Sequence, residues 1–376
     1  DHGHSNLSLA DSSFDLWLDG YKAGIPDRKV SIYQKGALAA LILDLTIRQL
    51  TQNQKNLDDV MRQLWLQFKE NGKGYTAQDY QHAAETVAGT SLQNYFKTGY
   101  VAEGVTTYYG DYLLARSGVF NWPQYQKELN QYLQKHFADH GHSNLSLADS
   151  SFDLWLDGYK AGIPDRKVSI YQKGALAALI LDLKIRQLTQ NQKSLDDVMR
   201  QLWQQFKENG KGYTAQDYQH TAETVAGTSL QNYFDEVING TAPLEPWLEE
   251  ALQTVGCTLQ TEENVAVSEN NFGFKTITKD GKLLISAVAP ASPAADALSL
   301  EDEIVAVNGR KAELSLQHLL EPDKPQEITF FRNHRLRTAQ LRPKTNRFYQ
   351  NYQVQKLQQA SAQQKHNFEQ WLKQAF

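Results

Sequence analysis

Cysteine is almost absent. Cys257 stands alone among 376 residues, so neither an intrachain disulfide nor a cysteine-rich zinc cluster can form. Long apolar runs are missing too. The longest, Ala37 to Leu43, stops at Asp44, well short of the roughly 18 residues that a membrane-crossing helix needs. Charge of one sign is nowhere concentrated: 38 Lys and Arg face 43 Asp and Glu, for a net charge of −5. No basic stripe follows any expected helix, so neither a nucleic-acid nor a membrane partner is expected. What is present is a globular composition, 41% hydrophobic with 18 Tyr, 15 Phe and 7 Trp, which supports a buried core and argues against disorder. The length suits about two or three domains. The chain starts at Asp1 with neither Met nor a signal peptide, which reads as a cut inside a longer protein.

Residues Asp1–Phe96 recur 138 positions later as Asp139–Phe234. Only Thr46/Lys184, Asn56/Ser194, Leu66/Gln204 and Ala83/Thr221 differ, leaving 92 of 96 positions identical. Solenoid repeats run about 20–50 residues and diverge freely, so a recent tandem duplication, natural or artificial, fits better. In Leu57–Glu70 the residues Val60, Met61, Leu64, Trp65 and Phe68 share one helical face. Leu66 lies about 170° from the centre of that face, where its counterpart Gln204 is polar.

Within the first copy the spacing predicts helices over Leu9–Leu18, Gln34–Leu50, Leu57–Glu70 and Thr76–Val87, with a break at Gly24-Ile25-Pro26. The second copy repeats them. Ala102–Arg116, Trp122–Phe137 and Leu244–Val255 also read as helices. Beyond Cys257 the pattern turns to strands at Phe272–Thr278, Leu283–Ala289, Glu303–Val307 and Glu327–Phe331, with hairpin turns at Asp280-Gly281 and Asn308-Gly309. Residues 350–376 are Gln-rich and helical in propensity.

Three stretches of this last region resemble a PDZ domain: Asn271-Phe272-Gly273-Phe274, Ala291-Ser292-Pro293-Ala294-Ala295 and Asp302–Gly309. That resemblance implies a peptide-binding loop at Phe272, Gly273 and Phe274, whose N–H groups would cradle a C-terminal carboxylate beside an added strand. The alternative is a module that packs on its neighbour and binds no tail.

The helical part resembles the glycyl aminopeptidases, peptidase family M61, at Ala102–Tyr109, Ser150–Trp155, Tyr171–Ala175 and Ser194–Met199. The resemblance implies a gluzincin-like C-terminal catalytic subdomain, zinc as cofactor and a peptide substrate. It makes Glu103 the third zinc ligand, and Tyr171 with its duplicate Tyr33 the donors to the oxyanion. The other two ligands in that family come from an H-E-x-x-H helix, whose histidines lie one turn apart and whose glutamate activates water. None of the ten histidines begins that motif. His140 and His142, like His2 and His4, form H-G-H pairs that point apart on a helix; they are read as a loop metal site or as a polar solvated loop. Zinc is therefore not expected to be held by this chain alone.

The expected architecture is mainly α-helical and partly duplicated, with a small PDZ-like β-rich domain. Residues 1–96 form a duplicate copy, 97–256 a helical peptidase-like domain, 257–345 the PDZ-like domain and 346–376 a helical tail. The functional expectation is a fragment or rearranged relative of a zinc aminopeptidase, inactive by itself, or else a non-catalytic peptide-binding scaffold. Near-identical segments competing for one docking site make a homo-oligomer or domain swap possible. A cytoplasmic location is favoured only by default.

Overall fold

The computed structural model describes residues 40, 43–69, 77–90, 92, 99–153, 168–207, 213–313 and 315–376. The expected helix Leu9–Leu18, the break at Gly24–Pro26 and Tyr33 lie outside them. In the first copy, α1 (43–50), α2 (Leu57–Leu64) and α3 (Ala77–Ala88) are helical. Asn56 and Asp59 form a capping box that starts α2, and the Leu57 amide donates to Asp44 Oδ1 at 2.8 Å. Leu43, Ile47, Val60, Leu64, Ala83, Ala84, Ala88 and Leu92 close a small core of their own.

A π-helical turn, Tyr100–Val105, runs into α4 (Thr106–Arg116). The chain turns at Gly118, whose φ of +79° suits glycine, and enters α5 (Trp122–Ala138) through an Asn121–Gln124 capping box. The second copy supplies α6 (Gln172–Leu188), α7 (Leu195–Leu202) and α8 (Ala215–Ala226), followed by α9 (Glu245–Thr254). Helix α6 is buried almost all round, from Lys173 to Leu183 and again at Ile185 and Arg186. Such a helix belongs at the centre of a bundle, and α6 packs against the π turn, α4, α5 and α9.

The β elements are β1 (Cys257–Glu262), β2 (Phe274–Lys279), β3 (Lys282–Val288), β4 (Glu303–Val307), β5 (Arg310–Lys311), β6 (Gln326–Arg332), β7 (Arg335–Leu341) and β8 (Asn351–Lys356). An antiparallel sheet in the order β2-β3-β4-β6-β7 covers its own core of Phe272, Phe274, Ile285, Ile304, Ile328, Phe330 and neighbours. Both expected turns form, with positive φ at Asp280, Gly281, Asn308 and Gly309. Asn333-His334 makes the same kind of turn without a glycine (φ 51° and 62°), which is why the β6–β7 hairpin escaped the sequence reading. Asp302 explains its place in the D-x-I-x-x-V-N-G stretch. Buried to 1% exposure, it accepts the Ser299 amide at 2.7 Å and both arms of Arg332 at 2.7 and 2.6 Å.

The last segment departs from its helical propensity. Residues 351–356 form β8, paired with β1 apart from the main sheet. Side chains of α5 complete the arrangement: Gln126 donates to Val354 O at 2.6 Å, Asn130 accepts from Val354 N at 2.8 Å, and Phe137 stacks on Tyr352. These long-range partners override local preference. Helix α10 (Ala362–Leu372) follows, burying Phe368, Trp371 and Leu372 in the helical core.

The shared helical face of the sequence reading also needs a correction. Trp65 and Trp203 are exposed at 58% and 59%. Both open π-helical turns, Trp65–Lys69 and Trp203–Lys207, and the wider turn shifts side-chain phase away from the 3.6-residue period.

Candidate functional site

The two residues singled out on the helical part, Glu103 and Tyr171, are brought to one crossing. A pair of glycines makes it possible. Gly104 in the π turn faces Gly174 in the first turn of α6. A Cβ on Gly104 would lie 2.6 Å from Gly174 Cα and 2.9 Å from Ile170 O, and one on Gly174 would lie 2.7 Å from Gly104 Cα. Only glycines allow this backbone contact, which lies one residue after Glu103 and three after Tyr171 in sequence. The Tyr100 amide donates to buried Ser151 Oγ at 2.9 Å, anchoring the start of the π turn. π-Helical turns recur at functional sites.

Glu103 is half-buried. Its carbonyl oxygen accepts from Thr106 Oγ1 at 3.0 Å and Thr107 Oγ1 at 2.6 Å, and none of the described residues hydrogen-bonds its carboxylate. Tyr171 is also half-buried, packed against the helical core at the N-cap of α6.

Behind this crossing lies a polar network that the sequence did not disclose. Tyr108 and Tyr112, stacked with centroids 4.8 Å apart, project from α4 onto α6. Tyr108 OH donates to Asp182 Oδ2 at 2.8 Å. Arg186 binds Asp182 at 3.0 Å and Tyr112 OH at 2.8 Å. Asp182 Oδ1 accepts the Leu195 amide at 2.9 Å, starting α7. Trp371 Nε1 reaches Tyr108 OH at 3.2 Å, and Tyr112 OH reaches Trp371 O at 3.1 Å. Nearer the surface, Tyr109 and Arg116 both bind Asp196, at 2.9 and 2.6 Å. Burial raises the tyrosine hydroxyls far above their ordinary range. At Asp196 burial also pushes the carboxyl up, yet the hydrogen bonds from Arg116 and Tyr109 outweigh it and hold the carboxyl below its ordinary value.

Two buried bases lie elsewhere in the bundle, Lys173 in the first turn of α6 and His136 in the last turn of α5. Lys173 is 1% exposed, its Nζ meets no hydrogen-bond partner among the described residues, and burial brings it down to about 8. His136 is also buried, at 4% exposure, with Nε2 unpartnered among the described residues. Burial, then His142 and Lys173, keep it well below the ordinary histidine range and so neutral. The His136 and His142 rings are 4.6 Å apart. The H-G-H pair at His140–His142 forms a 3-10 turn, with His142 half-buried and its Nδ1 2.5 Å from Asp139 O.

A catalytic zinc needs three protein ligands in a tetrahedral arrangement. Among the described residues no three His, Cys, Asp or Glu side chains converge on such a point. The residues described around Glu103 do not fit the metal by themselves.

In the β part, Phe272 and Phe274 are fully buried in the sheet core. Gly273 has φ +73°, and any Cβ there would strike Ser292 at 2.2 Å. Its N–H already donates to Glu269 O at 3.2 Å. Strand β2 is at the sheet edge. A 3-10 turn, Gln317–Leu319, is tied to Ser268 by Gln317 through bonds of 3.1 and 2.7 Å.

An aminopeptidase N family protein from Idiomarina loihiensis shares the fold, with a TM-score of 0.65 and 23% identity over 80% of this chain and 56% of that one. The chain thus spans little more than half the length of that structure. No curated protein matches. In sequence, residues 75–177 match the model of the M61 glycyl aminopeptidase family. The likeness to M61 read from the motifs is therefore shown, across the end of the first copy, the α4–α5 hairpin and the start of the second copy. Glu103 and Tyr171 fall inside the matched span, and Tyr33 falls outside it.

Proposed function

We propose that this chain carries the glutamate-and-tyrosine side of an M61-type aminopeptidase site and does not hydrolyse peptides unaided. The observation that supports this reading is the Gly104–Gly174 backbone contact between the turn that carries Glu103 and the helix start that carries Tyr171, in a fold shared with an aminopeptidase. In this reading Glu103 offers a carboxylate to a divalent metal, and Tyr171 offers its hydroxyl to the developing oxyanion. The imidazole pair and the water-activating glutamate have no counterpart in the sequence. They have to come from another polypeptide segment.

The purified chain, supplied with zinc and a chromogenic glycine amide, is expected to release no product. Adding a separately produced H-E-x-x-H segment of a family member is expected to give chelator-sensitive release. Tyr171→Phe should then lower kcat about 10²–10³-fold, the usual loss of one oxyanion donor, and Glu103→Ala should abolish metal retention. Chelator-sensitive cleavage by the chain alone would refute the proposal.

Peptide capture along β2 has its edge position in favour. The commitment of the Gly273 amide to Glu269 weighs against it.

A further inference from the structure

The duplicated helices expose on one copy the face they bury on the other. In the second copy the face is Asp182, Leu183, Arg186, Leu195, Asp196 and Met199. Helix α4 presents Tyr108, Tyr109, Tyr112 and Arg116 to its polar members, and Leu183 and Leu195 are fully buried. The first copy carries the same six residue types at Asp44, Leu45, Arg48, Leu57, Asp58 and Met61. There Leu45 is 55% and Met61 46% exposed, and Asp58 faces solvent.

The first-copy face is already in its receiving shape. Asp44 holds Arg48 at 2.8 Å and the Leu57 amide at 2.8 Å, as Asp182 holds Arg186 and the Leu195 amide. What is missing among the described residues is the tyrosine helix.

We propose that this face is a docking site for the tyrosine helix, Thr106–Arg116, of a second copy of this chain. The occupant follows from identity. The helix that fits these six residues is seen fitting them 138 positions later in the same chain. An apolar patch flanked by an acid–base pair also matches the helix's own mixture of aromatic rings, hydroxyls and one guanidinium. Each chain offers one such helix and two seats, so a helix leaving its own second copy for a partner's first copy regains the contacts to these six residues and gives up those to Trp371. The exchange is therefore governed by chain concentration, and it is slow because the second-copy seat is buried. This inference does not depend on the aminopeptidase reading.

The test uses the full chain, annealed in mild denaturant over a range of concentrations and sized by light scattering. A dimer fraction that grows with concentration is expected, and Leu45→Asp, at an exposed position that tolerates charge, should remain monomeric. Asp58→Lys should likewise suppress dimers by opposing Arg116. Mixing Asp58→Lys chains with Arg116→Glu chains should restore a mixed dimer, because the reversed charges pair again. Wild-type chain that is monomeric throughout would overturn the proposal. So would dimers indifferent to Leu45→Asp, or a mixture that fails to pair, since the last result would assign the patch to some occupant other than the tyrosine helix.

Discussion

Lys173 shows how much a single side chain can cost when its surroundings are apolar. Its ammonium is depressed from 10.5 to about 8 by burial, a penalty of about 3 kcal/mol at neutral pH. Between those two values the unfolded chain holds a proton that the folded chain has released. Stability should therefore rise with pH from about 8 to 10.5 and be flat in this respect below 8. Lys173→Met keeps the length of the side chain and removes the charge. It is expected to raise urea-unfolding stability at pH 7 by about 2 kcal/mol and to erase the alkaline rise. At the same scale, Gly104→Ala drives a methyl into the Gly174 backbone, where nothing flexible can yield. A loss of about 3 kcal/mol is expected from such overpacking, measurable as a lower urea midpoint.

At the scale of elements, the repeat is an internal control. Asp44 and Asp182 have the same neighbours in sequence and make the same local bonds to an arginine four residues on and to an amide thirteen residues on. Only Asp182 also receives Tyr108, and only Asp182 is excluded from water, at 1% exposure. Removing one partner of a buried ion pair strands the other charge, so Asp182→Ala is expected to cost about 3–5 kcal/mol. Asp44→Ala leaves Arg48 able to reach water and should cost far less. Paired denaturation curves of the two variants check the difference; equal losses would mean that the two faces are equally covered.

At the scale of the whole molecule, the described residues bury three separate cores: one in the first copy, one in the helical bundle with β1, β8 and α10, and one under the main sheet. The first-copy core is the smallest and contains no aromatic residue that is fully buried. It is expected to melt as its own unit, below the bundle. Leu64→Ala, at 2% exposure, should lower only that first transition, by about 2–5 kcal/mol. Its counterpart Leu202→Ala, at 3%, should lower the bundle transition instead. Calorimetry of the two variants separates these outcomes.

Much of this organisation was legible beforehand. The helices Trp122–Ala138, Leu195–Leu202 and Ala215–Ala226 were expected from periodicity, and in the structure they start at caps Asn121, Ser194 and Thr214. The strand Glu303–Val307 follows from its alternation and its Asn-Gly turn. Glu103 and Tyr171 were found by their resemblance to a family motif. What was not legible depends on partners far away in sequence. Residues 351–356 are a strand because Cys257–Glu262 and the amides of α5 receive them, although their own composition favours a helix.

By itself the sequence determined the duplication, the absence of an H-E-x-x-H segment and the local periods, because each is a property of residue order. Tertiary structure alone decided that one of two almost identical faces is buried under tyrosines while the other meets solvent. Identical residues differ there only in what the rest of the chain brings against them. The energy of a buried charge or an apolar side chain is set by that company.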